Sequence, residues 1–127
     1  MAEAIGNFNM TRTSFTMLET APGELTHVQS FEGTADGFNQ PFGSLSYTQP
    51  LAEGGANFGS CTWIAKTLLD DGTSIADIAH GTWNRIGNDP RAEIKLNNNL
   101  SDGRKLRCEA ILDHEKGTLT GTIFSDA

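Results

Sequence analysis

Two long β-rich runs meet at Asp71-Gly72, and that junction constrains the fold more than any other feature of the chain. The first run is Asn57-Phe58-Gly59-Ser60-Cys61-Thr62-Trp63-Ile64-Ala65-Lys66-Thr67-Leu68-Leu69, and the second is Thr73 through Ile86. An Asp-Gly between such runs is the strongest short-range signal for a β-hairpin. With Asp71-Gly72 as a two-residue loop, Leu69 faces Ser74, Lys66 faces Asp77, Trp63 faces His80 and Cys61 faces Thr82. Lys66 opposite Asp77 favours this register, because opposite charges across a ladder attract. The other face then carries Cys61, Trp63, Ala65 and Leu69 against Ile78, His80, Thr82 and Ile86. One histidine stands on an otherwise apolar, aromatic wall.

The flanking sequence reads as more strands. Asn7 to Glu19 is a strand whose apolar parity changes between Phe8 and Met10 and Phe15 and Met17. A β-bulge near Thr11–Ser14, or two separate short strands, accounts for the change. Ala21-Pro22-Gly23 is a turn. Leu25 to Thr34 follows, with Leu25, His27, Gln29 and Phe31 on one face. Gly43 to Leu51 carries Leu45 and Tyr47 on one face. Arg91 to Leu100 alternates, with Ala92, Ile94 and Leu96 on one side. Ser101-Asp102-Gly103 forms a three-residue loop with Gly in the left-handed position. That loop sets Lys95 opposite Glu109, Arg91 opposite Asp113, Leu96 opposite Cys108 and Asn98 opposite Leu106. A four-residue loop after Asp113 turns Leu119, Gly121 and Ile123 inward.

No segment has helical periodicity. About seven or eight antiparallel strands joined by short turns predict a single all-β domain, an up-and-down β-barrel rather than a sandwich. Closure removes exposed strand edges, and a sandwich usually needs a long crossover. The 127 residues suit one core.

Charge excludes some partners. A formal net charge of −7 repels phosphate backbones and anionic lipid, so neither nucleic acid nor membrane is an expected partner. No run approaches the roughly 20 apolar residues of a membrane span. Met1-Ala2-Glu3-Ala4-Ile5 lacks the basic start and apolar run of a signal peptide, which predicts a cytoplasmic protein. Cys61 and Cys108 are expected to be buried free thiols. No spacing suggests a zinc or di-iron site, so neither metal nor cofactor is expected.

A barrel of this size holds side chains or one small ligand. The candidate catalytic residues are His80 as the acid–base group, Asn98 as its orienter across the sheet, and His27 as a second histidine. The candidate ligand contacts are Trp63, Cys61, Thr82, Asn84, Phe31, Tyr47 and Leu96. Outside, Phe58, Ile64, Leu68, Ile75 and Trp83 are expected to form an apolar patch, which predicts a homo-oligomer.

Two fragments resemble the avidin–streptavidin family. His80-Gly81-Thr82-Trp83-Asn84 is similar to its opening strand and Gly117-Thr118-Leu119-Thr120-Gly121-Thr122 to its second. There those strands form one hairpin; here another hairpin intervenes, and no biotin-binding residue is carried over. The size and meander resemble calycin-like and allene-oxide-cyclase-like barrels. That resemblance, of fold alone, implies either a binding protein or a cofactor-free cyclase or isomerase.

The expected function is therefore a cofactor-independent isomerase, cyclase or lyase acting on a small apolar or aromatic compound in the barrel. The alternative is a non-catalytic barrel that holds such a ligand; a purely structural oligomer is the third reading.

Overall fold

The computed structural model describes residues 3–125. Met1 and Ala2, in the segment read above for a leader, lie outside the described residues. Eight strands follow one another: β1 (Glu3–Ala21), β2 (Glu24–Ala35), β3 (Gln40–Pro50), β4 (Phe58–Leu68), β5 (Ser74–Arg85), β6 (Arg91–Leu100), β7 (Lys105–Asp113) and β8 (Thr118–Ser125). Each pairs with its neighbours in order and β1 closes on β8, so the sheet is one antiparallel barrel. A 3₁₀ turn, Leu51–Glu53, interrupts the β3–β4 connection. No helix among the described residues is long and apolar enough to cross a membrane.

Most turn chemistry works as the sequence implies. Pro22-Gly23 joins β1 to β2, with Gly23 at φ +78°. Gly103, at φ +94°, closes the β6–β7 loop. That loop sets Leu96 opposite Cys108 and Asn98 opposite Leu106, as expected. Lys95 faces Glu109 and Arg91 faces Asp113 in the ladder. Their closest ion pairs are different, however: Arg91 with Asp89 and Glu109 with Arg107. The four-residue loop after Asp113 also holds, and Leu119 and Ile123 are buried.

The β1 bulge lies between Arg12 and Ser14. The extra residue, Thr13, changes the strand's parity, so Met10 and Arg12 share the inner side with Phe15 and Met17 beyond it. β1 pairs with β8 only as far as Thr11, while its pairing with β2 runs on to Ala21. The β1–β2 hairpin therefore projects past the rim as a lip, flanked by the end of β3.

The central hairpin corrects the sequence reading. The loop is Asp70-Asp71-Gly72, three residues rather than two. Leu69 N–H donates to the Thr73 carbonyl at 2.9 Å, and Gly72 sits at φ +88°. The Asp71 carboxylate accepts from the Thr73 N–H at 2.9 Å and from its hydroxyl at 2.6 Å. One extra loop residue slips the register by one and turns every β5 side chain over. Trp63 faces Ala79, Cys61 faces Gly81, and Asp77 faces Ala65 rather than Lys66. On β5 the inner positions are Ile75, Asp77, Ala79, Gly81 and Trp83.

The interior is filled by Phe31, Leu45, Ile94, Leu112 and Leu119 across the middle, each almost fully buried. Phe31 and Trp63 lie with ring centroids 6.2 Å apart. Gly43 makes room for Trp63, since a Cβ there would come within 2.8 Å of its ring.

Candidate functional site

The slip at Asp70-Asp71-Gly72 decides which groups meet inside the barrel. His80 points outward and is exposed, with Thr62 Oγ1 3.5 Å from its Nδ1. Thr82 and Asn84, on the same outer parity, are exposed too. The inward placement expected for all three is therefore corrected. Asn98 is buried as expected, but its cross-strand partner is Ala79, and His80 faces Asn97.

The outer patch changes with it. Phe58, Ile64 and Leu68 are exposed, but Ile75 and Trp83 point inward and pack against the core. Ile78, expected inside, takes their place outside as the direct partner of Ile64.

At the end of the barrel where β4 finishes and β5 begins, an interior cavity of about 90 Å³ remains. Met10, Phe38, Trp63, Leu96, Cys108 and Leu119 line it with apolar surface. Thus Trp63 and Leu96 are brought to the cavity as the sequence suggests, whereas Cys61 and Phe31 are packed into the core. Phe38, in the β2–β3 loop, covers the mouth, with the Arg104 guanidinium 5.3 Å from its ring centroid. Asn39 Nδ2 donates to Asp70 Oδ1 at 2.8 Å and ties that loop to the β4–β5 loop.

Three polar side chains enter this cavity: Thr67 from β4, Asp77 from β5 and Asn98 from β6. Asn98 Nδ2 donates to Asp77 Oδ2 at 2.8 Å. Asp77 Oδ1, Asn98 Oδ1 and Thr67 Oγ1 are buried without a hydrogen-bond partner. Buried polar atoms are nearly always satisfied, so three orphans around one apolar space mark a place that water or a ligand completes. Burial pushes the Asp77 carboxyl up to about 6, against the Asn98 hydrogen bond, which lowers it. A carboxyl in that range exchanges its proton near neutral pH.

The thiols take no comparable part. Burial pushes Cys61 up to about 11 and Cys108 up to about 12, so both are protonated and weakly reactive. Both are free, as expected. Among the described residues no group of three or more His, Cys, Asp or Glu side chains could hold a metal ion.

His27 and Tyr47 lie at the opposite end, under the lip. Their rings stack with centroids 4.3 Å apart, and Tyr47 also meets Trp83 at 5.1 Å. Neither is near Asp77. No family model, curated protein or solved structure matches the chain.

Asp77 was hidden by the loop length, whereas Thr67 shares the inner parity of Cys61, Trp63 and Ala65 with either loop and was passed over as a small polar residue on that face. The signal that finds Asp77 is internal: Asp70-Asp71-Gly72 has the pattern of Ser101-Asp102-Gly103, and reading both as three-residue loops gives the observed faces.

Proposed function

We propose that this barrel is a cofactor-independent enzyme that moves a proton on a small apolar carbonyl compound, with Asp77 in place of His80 as the acid–base group. The observation that carries the reading is the Asp77 carboxyl: one oxygen held by Asn98, the other unpartnered in an apolar cavity. In this scheme Asp77 Oδ1 takes a proton from the carbon next to the carbonyl. The electron pair passes to the carbonyl oxygen, and the Thr67 hydroxyl donates a hydrogen bond to it. The neutral Asp77 carboxyl then returns the proton to the other face of the same carbon, or to the γ-carbon where the compound carries a β,γ double bond, and either is an isomerisation with no net oxidation. Ring closure or elimination uses the same first step, so cyclase and lyase outcomes belong to the same chemistry. Asn98 fixes the carboxylate, and Trp63 and Leu96 supply the apolar wall. A cavity this small suits a compound of a few carbons to one ring.

The test is a thermal-shift screen of wild type and Asp77→Asn against small apolar ketones, lactones and arylacetaldehydes, with mass spectrometry and chiral or retention-time analysis of each mixture. A ligand that binds the native state raises the melting temperature. Conversion by wild type, with turnover about a hundredfold lower or less in Asp77→Asn at retained binding, supports the proposal. Compounds bound unchanged by both proteins support the carrier reading, in which the Asp77–Asn98 pair is only a polar anchor.

A further inference from the structure

The opposite mouth of the barrel carries a second constellation that the proton-transfer reading does not use. Beyond Arg12 the β1–β2 hairpin leaves the barrel, and its inner side overhangs the rim. Phe15 and Met17 lie on that inner side, yet they are 42% and 55% exposed. Side chains of inward parity that stay this open are not packed into the core. His27 forms the floor of the lip. Its ring meets Phe15 edge-on at 6.0 Å and lies flat on Tyr47, which continues to Trp83. Four aromatic or imidazole rings thus form one continuous wall.

The polar groups at the base of this wall are donors with spare capacity. Gln29 is fully buried, and its Nε2 has no hydrogen-bond partner. Its Oε1 accepts from the Arg12 guanidinium at 3.0 Å, so the amide nitrogen is held pointing away from that bond. Arg12 also donates to the His114 carbonyl at 3.2 Å, and its guanidinium lies 5.4 Å from the Phe15 ring centroid. No carboxylate pairs with it among the described residues; the ion pairs there belong to Arg91, Arg104 and Arg107. Both ring nitrogens of His27 are buried without a partner of good geometry, and burial lowers the ring's pKa against a smaller raising contribution from Gln49, which favours the neutral imidazole. Burial, and then the Arg12 guanidinium, lower the His114 pKa, while Asp113 raises it, so this imidazole too is favoured in its neutral form. The site is aromatic and donor-rich, and the Arg12 guanidinium is its positive charge.

From this geometry we infer that the lip end is a second binding site, for a small aromatic carboxylate whose ring stacks along Phe15, His27 and Tyr47 and whose carboxylate meets Arg12 and Gln29. A fixed guanidinium and an unpaired amide N–H suit an anion with planar oxygens. A buried donor left unpaired is costly, and a carboxylate oxygen removes that cost. The inference stands apart from the Asp77 cavity at the other end.

The experiment is titration of the full chain with phenylacetate, followed by amide and side-chain chemical shifts, with toluene and acetate as controls. Wild type, Arg12→Gln, Gln29→Leu and Asp77→Asn are compared, each first shown to be folded by circular dichroism. The expected result is saturable binding of phenylacetate, shifts centred on His27 and Tyr47, and an affinity about tenfold or more weaker in Arg12→Gln. Gln29→Leu weakens binding as well, and Asp77→Asn leaves it unchanged. Neither toluene nor acetate matches phenylacetate. No saturable binding to wild type at roughly 10 mM overturns the inference. So does binding that Arg12→Gln and Gln29→Leu leave intact, or binding that only Asp77→Asn removes, which places the ligand in the other cavity.

Discussion

Asn98 reaches diagonally across the β5–β6 ladder to Asp77, donating from Nδ2 to Oδ2 at 2.8 Å, while its own register partner is Ala79. Burial and this bond act on the carboxyl in opposite directions, and burial is the larger effect. The carboxyl is thus raised from its ordinary 3.8 to about 6. The native state therefore holds the proton more tightly than the unfolded chain. Below a pH of about 4 the group is neutral in both states and the fold has its full stability with respect to this residue. As pH rises through the raised value, that stability is lost, because ionisation is easier in the unfolded chain. Asp77→Asn removes the loss. It is expected to raise stability near neutral pH by about 1–2 kcal/mol, a figure that allows for partial exposure to solvent, and to change it little at acid pH. Urea denaturation of both proteins from acid to neutral pH measures this; equal slopes in the two proteins would count against the buried carboxyl.

Asn98→Ala tests the other half of the pair. Without the donor, the ionised carboxyl loses the one hydrogen bond given to it, so its titration moves further up, by about one pH unit. The carboxyl stretch in infrared difference spectra, or the Asp77 carboxyl carbon shift, follows that titration directly. A downward or absent displacement contradicts the role assigned to Asn98.

The two thiols give a prediction about access and ionisation. Burial raises both Cys61 and Cys108 far above neutral pH, so the reactive thiolate is scarce in the native state. Ellman's reagent at mild alkaline pH is expected to label neither residue at an appreciable rate in the folded protein and both rapidly in denaturant. Fast labelling of Cys108 in the native state would show that the cavity opens to a bulky reagent, past Phe38.

The fold was legible where short-range chemistry and alternation agreed. In β6 every apolar position lies inward, and in β7 every one but Ile111, and the Ser101-Asp102-Gly103 turn fixes their register without ambiguity. The bulge in β1 was visible as a change of parity between Met10 and Phe15. The site was less legible because one loop residue decides the orientation of a whole strand. An Asp-Gly fits both a two-residue and a three-residue hairpin, and Lys66 opposite Asp77 made the shorter loop attractive. The observed loop uses Asp71 to bind Thr73 and Gly72 to adopt a positive φ, and it sends Asp77 inward and His80 outward. A buried acid opposes the usual burial preference, so no pattern of apolar residues could have pointed to it. The lip cluster was only partly visible. His27, Gln29 and Phe31 were seen to share a face, but Arg12 and Phe15 join them only through the bulge.

Gly81 supplies the last test, because it shows how tightly the slipped register is enforced. It occupies an inner position between Cys61 on β4 and Leu96 on β6. A Cβ there would collide with the Lys95 carbonyl and crowd the Leu96 backbone, so the two strands approach each other too closely for any side chain. Neither obstacle can move without breaking the ladder. Gly81→Ala is therefore expected to cost several kcal/mol, about 3 or more, through overpacking and displaced strand pairing. Gly55, in the β3–β4 connection, has open space where its Cβ would go, and Gly55→Ala is expected to stay within about 0.5 kcal/mol of wild type. Urea midpoints of the two variants against wild type decide the matter. With the two-residue loop, position 81 would lie on the outer face with room for a methyl group, and the two variants would then behave alike.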